Sequence, residues 1–181
     1  MLYLLTGGSG CGKSTFAEAL CAALPRPLFF IDTAMPADAP EAEEAARRQA
    51  RYREHGFQTV ARYTDLAGLR LPQPGGTALL ECICNLTANE MFDRQGRRTD
   101  PCGRVMAGVD ALRRQCGHVV VVTNDVGSDT GGYDASTGAY VSAIGTINAA
   151  LAERADAVLE LVCGIPLVRK GTLPTRMEAQ I

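Results

Sequence analysis

The chain has 181 residues, of which 46% are hydrophobic and 21% are charged, and its formal net charge is −2. This length suits one α/β domain with its own core, and the balanced charge argues against bulk attraction to nucleic acid or to an anionic membrane. No apolar run is long enough to span a bilayer, and the first residues predict a strand rather than a signal peptide. We therefore expect one cytoplasmic domain over residues 1–181, with no nucleic-acid partner and no membrane span.

The first strand leads into a glycine-rich segment. Residues 2–5 are apolar, and residues 7–14 match the pattern G-x-x-x-x-G-K-[ST] of a phosphate loop. Backbone N–H groups of such a loop approach phosphate oxygens, Lys13 can reach the β- and γ-phosphates, and the Ser14 hydroxyl can ligate Mg²⁺. A helix predicted from Ser14 to Leu24 presents its positive N-terminus to the phosphates, and this context disfavours a chance match. The expected nucleotide contacts are Gly7, Gly8, Ser9, Gly10, Cys11, Gly12, Lys13 and Ser14.

A second buried strand is predicted over residues 28–31, after a turn that carries two prolines. It ends at Asp32 and Thr33, and the ligands of an open parallel sheet collect at the carboxyl ends of its strands. Asp32 therefore either faces the phosphate loop or only caps the strand and starts a turn. A proline-rich loop follows over residues 35–40.

Residues 41–54 predict a charged helix in which Glu–Arg pairs are spaced four residues apart. This helix is the most basic stretch of the chain. Its arginines either form a solvated face with helix-stabilising ion pairs, which is the simpler interpretation, or offer guanidinium groups to a polyphosphate. Arg48 and Arg51 are the candidate nucleotide contacts in the second case. Residues 57–62 then alternate like a strand at a sheet edge.

A third buried strand over residues 77–80 ends in Glu81. An acidic residue at the end of a core strand, beside a phosphate loop, is placed to face Mg²⁺ or the attacking group. A buried carboxylate also needs a partner, which favours a functional role. We take Glu81 as a catalytic candidate together with Lys13 and Ser14. Ser14 and Glu81 are the candidate Mg²⁺ contacts, the latter directly or through water.

The rest of the chain continues the alternation of helices and strands. It predicts helices over residues 85–92, 104–116 and 136–153 and strands over 118–122 and 156–162. It also predicts an exposed loop over 93–103, a substrate loop over 126–140 and, after the segment 164–166, a short polar tail. No internal repeat or linker divides it. The pattern therefore predicts one α/β domain of the P-loop NTPase type, with a largely parallel sheet and helices on both faces.

Seven cysteines occur, an odd number without a C-x-x-C pair. Several lie in apolar runs, as is typical of reduced, buried thiols in a cytoplasmic protein. Cys82 and Cys84 could begin a metal site, but no histidine or cysteine follows at metal-binding spacing. The sequence gives little support to a cysteine-bound metal.

Several segments of the chain, in their order along it, resemble the adenosylcobinamide kinase/adenosylcobinamide-phosphate guanylyltransferase family of cobalamin biosynthesis. The matching segments are TGGSGCGKSTFAEAL, FIDTAMP, LLECICNLTANEMF, VVVVTNDVGSD and INAALAERADAVLELVCGIP. Members of the family phosphorylate a hydroxyl of adenosylcobinamide and then transfer GMP from GTP to that phosphate. The resemblance implies ATP or GTP as substrate, Mg²⁺, a corrinoid partner and a homotrimer. It also implies that residues 7–14 and Thr33, Ala34 and Met35 line the nucleotide site, with Glu81 at the reaction centre.

One departure concerns the histidine that the family attaches to GMP on its second helix. Ungapped alignment with the family pattern places Arg48 or Gln49 at that position, and a gapped alignment places Tyr52 there. None of these side chains forms the same phosphoramidate, and His55 lies at the helix end. The sequence thus supports the kinase activity better than guanylyl transfer.

Two other functions stay open from the residues. One is a P-loop kinase of another small metabolite, against which the family-specific segments of the C-terminal half argue. The other is a nucleotide-dependent regulatory switch, but the base-reading N-K-x-D motif of switch GTPases does not occur. A switch would hydrolyse nucleotide slowly without an acceptor, whereas a kinase needs its acceptor.

Overall fold

The computed structural model describes residues 1–92, 99–126 and 132–178. Its strands are β1 (Leu2–Thr6), β2 (Leu28–Asp32), β3 (Phe57–Ala61), β4 (Thr77–Glu81), β5 (His118–Val122), β6 (Ala157–Val162) and β7 (Ile165–Lys170). Its helices are α1 (Lys13–Ala22), α2 (Ala39–Glu54), α3 (Ile83–Met91), α4 (Pro101–Gln115), α5 (Ala135–Arg154) and α6 (Thr175–Glu178), with a 3₁₀ turn at Leu66–Gly68. Among the described residues, no helix combines the length and apolarity that crossing a bilayer requires.

The strands of the described chain form one sheet in the order β3-β2-β4-β5-β1-β6-β7. Neighbours from β3 to β6 pair in parallel, and β7 pairs antiparallel with β6. Parallel strands end at the same edge of a sheet, so the phosphate loop after β1 lies on the same edge as the ends of β2 and β4. Asp32 on β2 and Glu81 on β4 are direct neighbours in register. This edge therefore collects the polar groups that follow the predicted buried strands.

Two buried clusters cover the two faces of the sheet, because successive strand side chains point to opposite sides. One cluster lies under α3, α4 and α5 and includes Leu4, Ile31, Leu80 and Val121. The other lies under α1 and the end of α2 and includes Leu5, Phe30, Tyr52, Leu79 and Val120. Burial on both faces explains why the parallel strands read as continuous apolar runs. The predicted α/β fold, with a largely parallel sheet and helices on both faces, is confirmed, as is β3 at an edge.

Helix starts differ from the prediction at α2, α3 and α4, and α2 begins at Ala39, two residues earlier than predicted. α3 begins at Ile83, two residues earlier than predicted, and α4 begins at Pro101, three residues earlier. The Asp100 carboxylate accepts a hydrogen bond from the Cys102 N–H at 3.0 Å, and proline suits the first helical position because its missing N–H has no helical partner there. The predicted loop over 93–103 is therefore too long. Its residues 93–98, and residues 127–131 of the predicted substrate loop, lie outside the described residues.

The predicted polar tail is wrong, because Ile165–Lys170 forms β7. Cys163 and Gly164 join β6 to β7, and their φ angles of 51° and 83° are the two positive values that a type I′ hairpin turn requires. A Cys-Gly turn lacks the usual Asn-Gly signal. β7 is also an edge strand with mostly exposed side chains, so its sequence lacks the apolar run that marked the buried strands.

Candidate active site

The phosphate loop lies between β1 and α1 at the carboxyl edge of the sheet. Gly7, Gly10 and Gly12 have φ angles of 140°, 70° and 95°, which favour glycine. A Cβ atom on Gly7 would lie 2.5 Å from the carbonyl oxygen of Leu161 on β6. The loop can therefore pass this close to β6 only because Gly7 has no side chain.

Lys13 is the first residue of α1 and is only 7% exposed. Its Nζ donates to the carbonyl oxygens of Gly7 at 3.0 Å and Gly8 at 2.6 Å. A buried ammonium needs polar partners, and the loop carbonyls provide them in this structure. The lysine is thus held directly over the loop, where a phosphate would supply the opposite charge.

Glu81 connects the phosphate loop to α2. The Ser14 hydroxyl donates to its Oε1, and the Tyr52 hydroxyl donates to its Oε2 at 2.8 Å. The Tyr52 ring is fully buried and stacks on Phe30 with the ring centroids 3.7 Å apart. Burial and the adjacent Glu81 carboxylate raise the pKa of Tyr52, so the phenol keeps its proton and acts as a donor. Both carboxylate oxygens of Glu81 therefore have partners from different elements.

Asp32 is a fully buried carboxylate at the end of β2. Arg48 Nη2 lies 3.0 Å from each of its oxygens, and Gln49 Nε2 lies 3.1 Å from Oδ2. The Ala34 N–H also donates to Oδ1 at 3.1 Å. Both alternatives for Asp32 hold in the structure, because it caps the turn after β2 and also lines the cavity beside the phosphate loop.

Arg51 lies on the side of α2 that faces α1. Its Nη2 is 3.5 Å from Glu18 Oε2, and its guanidinium carbon is 4.9 Å from the centre of the Tyr52 ring. It lines a cavity of about 350 Å³ that also touches Ser14 and Glu81. Arg47, Arg48 and Arg51 thus all line this cavity, although Arg47 also forms an exposed pair with Glu43.

None of the α2 residues at the family's histidine position is free to act as that histidine. Arg48 and Gln49 hold Asp32, and Tyr52 is buried against Glu81. His55 follows the last residue of α2, where its ring bonds to Glu18 of α1. The described residues that line the two cavities beside Ser14 and Glu81 include no histidine.

A cavity of about 400 Å³ brings most of the predicted residues together. It is lined by Ser9, Gly10, Gly12, Lys13, Ser14, Thr15, Asp32, Ala34, Arg48, Glu81, Cys82, Asn85, Val122 and Asn124. Met35 lines a neighbouring cavity that shares Ala34, Arg48 and Asn85 with the first. Thr33 is buried beneath the surface, where its hydroxyl donates to the Cys82 carbonyl at 2.8 Å.

Sequence reasoning missed two contributors to this site. The sequence suggests Tyr52 only as a replacement nucleophile, whereas the structure shows it as the partner of Glu81. Asn85 lies in the first turn of α3 and lines the main cavity. A helix start at Ile83 would have pointed to it, since the N-terminal turn of a helix that follows β4 faces the same edge of the sheet.

Cys82 and Cys84 follow Glu81 at the start of α3. Hydrogen bonding from the Cys82 thiol lowers the pKa of Cys84. Within the described ranges, no group of three metal-binding side chains includes this pair.

The fold and the loop place the chain in the P-loop class of nucleotide-binding proteins, because a phosphate loop opens a helix at the carboxyl edge of a parallel sheet. A family model described as cobinamide kinase/cobinamide phosphate guanyltransferase matches residues 3–168. The chain therefore belongs to this family of enzymes, as its sequence motifs predicted. A P-loop kinase outside this family and a regulatory switch are not favoured.

Curated relatives match almost end to end. The bifunctional adenosylcobalamin biosynthesis protein CobP of Pseudomonas aeruginosa is 30% identical over 173 residues, covering 94% of this chain and 98% of the relative. CobU of Escherichia coli, also named a bifunctional adenosylcobalamin biosynthesis protein, is 30% identical over 179 residues, covering 91% and 97%. Among solved structures, an ATPase of a bacterial type III secretion system matches with a TM-score of 0.48 and 10% identity, covering 93% of this chain and 56% of that one.

Proposed function

We propose that the protein transfers a phosphoryl group from ATP or GTP to the alcohol of adenosylcobinamide. The carrying observation is that Lys13, Ser14 and Glu81, which lie on two separate segments of the chain, line one cavity at the edge of the sheet. Membership of the cobinamide kinase/guanyltransferase family supports a corrinoid acceptor. The names of the relatives, which refer to adenosylcobalamin biosynthesis, support the same pathway.

The phosphate loop supplies the electrostatic part of the reaction. Backbone N–H groups of residues 7–14 bind phosphate oxygens at the positive end of α1. Lys13 exchanges its loop carbonyl partners for phosphate oxygens and stabilises the charge that develops on the transferred group. Glu81 positions the attacking hydroxyl of the acceptor, with its own orientation set by Tyr52.

The residues beside the loop fit a magnesium ion. Mg²⁺ prefers hard oxygen ligands, and the Ser14 hydroxyl and the Glu81 carboxylate, which bond to each other, supply two kinds of them at one place. The ion neutralises charge on the β- and γ-phosphate oxygens when bound. We assign its contacts to Ser14 and, directly or through water, to Glu81.

Further nucleotide contacts are assigned to the residues that follow β2 and to α2. Ala34 and Met35 line adjoining cavities, which supports the contacts that the resemblance implies, and the hydrogen bond from Thr33 to the Cys82 carbonyl anchors the chain just before them. Arg48 and Arg51 offer guanidinium groups to phosphates. Arg48 already contacts Asp32, so phosphate binding there means sharing or exchanging that partner.

Guanylyl transfer, the second activity of the family, does not proceed in this proposal through a covalent intermediate on α2. Arginine is protonated, an amide nitrogen only donates, and the Tyr52 phenol is buried with a raised pKa. Arg48 instead acts as a fixed cation for GTP. The chain is then a kinase alone, or a kinase with a direct and slower guanylyl transfer.

We further propose a cytoplasmic homotrimer. The described surface supports a subunit contact, because Val162, Ile165 and Leu167 lie together on one face of the β6–β7 hairpin and are 45%, 60% and 38% exposed. Apolar patches of this kind often mark interaction surfaces.

The test is phosphoryl transfer with and without adenosylcobinamide, using ATP or GTP with Mg²⁺ and mass spectrometry of the corrinoid. We expect adenosylcobinamide phosphate and little nucleotide hydrolysis when the acceptor is omitted. Slow hydrolysis that the acceptor does not change would instead indicate a switch. Transfer to other small alcohols, but not to adenosylcobinamide, would contradict the corrinoid assignment.

A further inference from the structure

Another pocket adjoins the main cavity at Gly12 and Thr15 and extends along α1 to Phe16, away from the lining residue Glu81. Its volume is about 390 Å³, and it is lined by Gly12, Thr15, Phe16, Ala19, Gly164, Pro166 and Met177. Apart from the Thr15 hydroxyl, the side chains in this lining are apolar. None of the catalytic assignments above uses this pocket.

Three elements build the pocket around the end of the phosphate loop. The Gly164 N–H in the β6–β7 turn donates to the Cys11 carbonyl at 2.9 Å, which ties the hairpin to the loop. A Cβ atom on Gly12 would lie 3.4 Å from the Gly164 Cα, so the two backbones are in close contact. Met177 of α6 is buried and closes the far end. The pocket is therefore continuous with the phosphate loop.

The direction of a bound nucleotide follows from α1. The Ser14 hydroxyl points to Glu81, so the transferred end of the polyphosphate lies on the Glu81 side of the loop. Thr15 borders both the main cavity and this pocket, whereas Phe16, one residue further along α1 and rotated by about 100°, borders this pocket and not the cavity that contains Glu81. The nucleoside end of the same molecule then leaves the loop on the Phe16 side.

The linings of the other cavities also favour the pocket at Phe16 as the site of the base. Besides the main cavity, two cavities touch Arg48, namely the one at Met35 and the one at Arg51. Both are lined by charged side chains, including Glu44. A purine base is flat and largely apolar on its faces, and it gains most from contact with aromatic and aliphatic side chains. The pocket at Phe16 has such a lining and includes Gly12 of the phosphate loop, whereas the cavity at Phe92 and Tyr140 also carries aromatic rings but includes no residue of that loop.

We propose that this pocket binds the purine base of the nucleotide that donates the phosphoryl group, with the base against the Phe16 ring. The inference rests on the proposed kinase function and adds the position of the donor base to it. It leaves the cavities at Met35 and Arg48 for the acceptor and for the nucleotide of the guanylyl step. The donor base and the acceptor thus occupy different cavities.

The test compares affinities for ADP, GDP and inorganic tripolyphosphate by calorimetry. Phe16→Ala should weaken binding of both nucleoside diphosphates on the order of tenfold, as expected for a lost base–aromatic contact. Tripolyphosphate has no base, so its affinity should stay unchanged. Phe92→Ala is the matched control, since it makes the same deletion in a cavity between α3 and α5, and it should leave all three affinities unchanged.

Phe16 also packs against the core, so a second variant protects the test from a folding defect. Ala19 is exposed on α1, and Ala19→Leu fills part of the pocket while keeping a strong helix former. It should weaken ADP binding and spare tripolyphosphate. Unchanged ADP affinity in this variant, or a loss caused by Met35→Ala instead, overturns the base assignment.

The failure of the base pocket is separable from a failure of the kinase assignment. Lys13→Ala should abolish tripolyphosphate binding if the phosphate loop is used. If it does so while the Phe16 and Ala19 variants bind ADP normally, the base pocket is wrong and the loop assignment stands. If the parent protein does not bind tripolyphosphate, both assignments fail.

Discussion

At the scale of single residues, the proposed phosphoryl transfer assigns the most direct role to Lys13. Lys13→Ala removes the buried cation from the loop and should reduce the kinase rate by about a hundredfold or more. Turnover with adenosylcobinamide measures the effect, and circular dichroism checks that the fold is kept. Lys170→Ala is a matched control, because that lysine bonds to carbonyls at the end of α5 and should leave turnover unchanged. Near-normal turnover of Lys13→Ala would refute the phosphate-loop assignment.

Glu81 carries the second prediction at this scale. Glu81→Gln keeps the shape of the side chain and removes its charge, so it should lower kcat more than it lowers nucleotide affinity. Steady-state kinetics and nucleotide titration separate the two effects. Glu18→Gln makes the same change on α1, where the carboxylate bonds to Arg51 and His55, and should have the smaller effect on kcat. Unchanged turnover with reduced thermal stability in Glu81→Gln would assign Glu81 a structural role.

At the scale of elements, α2 decides whether the chain forms a covalent GMP intermediate. Its residues at the family's histidine position contact Asp32 and Glu81, and His55 contacts Glu18. We expect no protein-bound label after incubation with Mg²⁺ and GTP labelled in the α-phosphate. His55→Ala should behave like the parent protein. An acid-labile label that maps to His55 would contradict this and restore the full bifunctional reaction through a covalent intermediate.

β5 carries a pH-sensitive group away from the site. His118 Nδ1 is buried and has no hydrogen-bond partner among the described residues, and its ring lies 6.2 Å from that of Tyr3. Burial lowers the pKa of His118, so below about pH 6.5 the unfolded chain binds a proton more readily than the folded one. The contribution of His118 to the free energy of unfolding is therefore complete above about pH 6.5 and decreases as the pH falls below that value.

His118→Phe tests this effect, because it keeps an aromatic ring beside Tyr3 and removes the titrating group. Urea unfolding at pH 7.5 and at pH 5.5 should show a smaller loss of unfolding free energy on acidification in the variant than in the parent protein. Equal losses in the two proteins would show that His118 does not contribute to the pH dependence.

At the scale of the whole molecule, the β6–β7 hairpin is the candidate subunit contact. Ile165→Lys places a charge on the apolar patch formed with Val162 and Leu167, and it should shift a trimer towards smaller species. Light scattering after size-exclusion chromatography measures the mass. Thr172→Lys, at an exposed position beyond β7, is the control and should keep the parent mass. A parent protein that is monomeric at all concentrations would contradict the homotrimer.

The fold class could be predicted because its signals are local. β1, β2, β4 and β5 are short apolar runs buried on both faces, and the helices between them are long enough for parallel crossovers. The phosphate loop is likewise one continuous segment, and the spacing of its glycines indicates where its backbone must turn tightly. Edge strand β7 escaped prediction, since its exposed side chains carry no comparable pattern.

The sequence by itself determined the P-loop class, the family, and the candidates Lys13, Ser14 and Glu81. Only the tertiary structure decided which groups meet, because the sheet order β3-β2-β4-β5-β1-β6-β7 is not the order of the chain. That order brings Tyr52 to Glu81 and Gly164 to the phosphate loop across long separations in sequence. Such contacts depend on how elements pack, and no local pattern of residues encodes them.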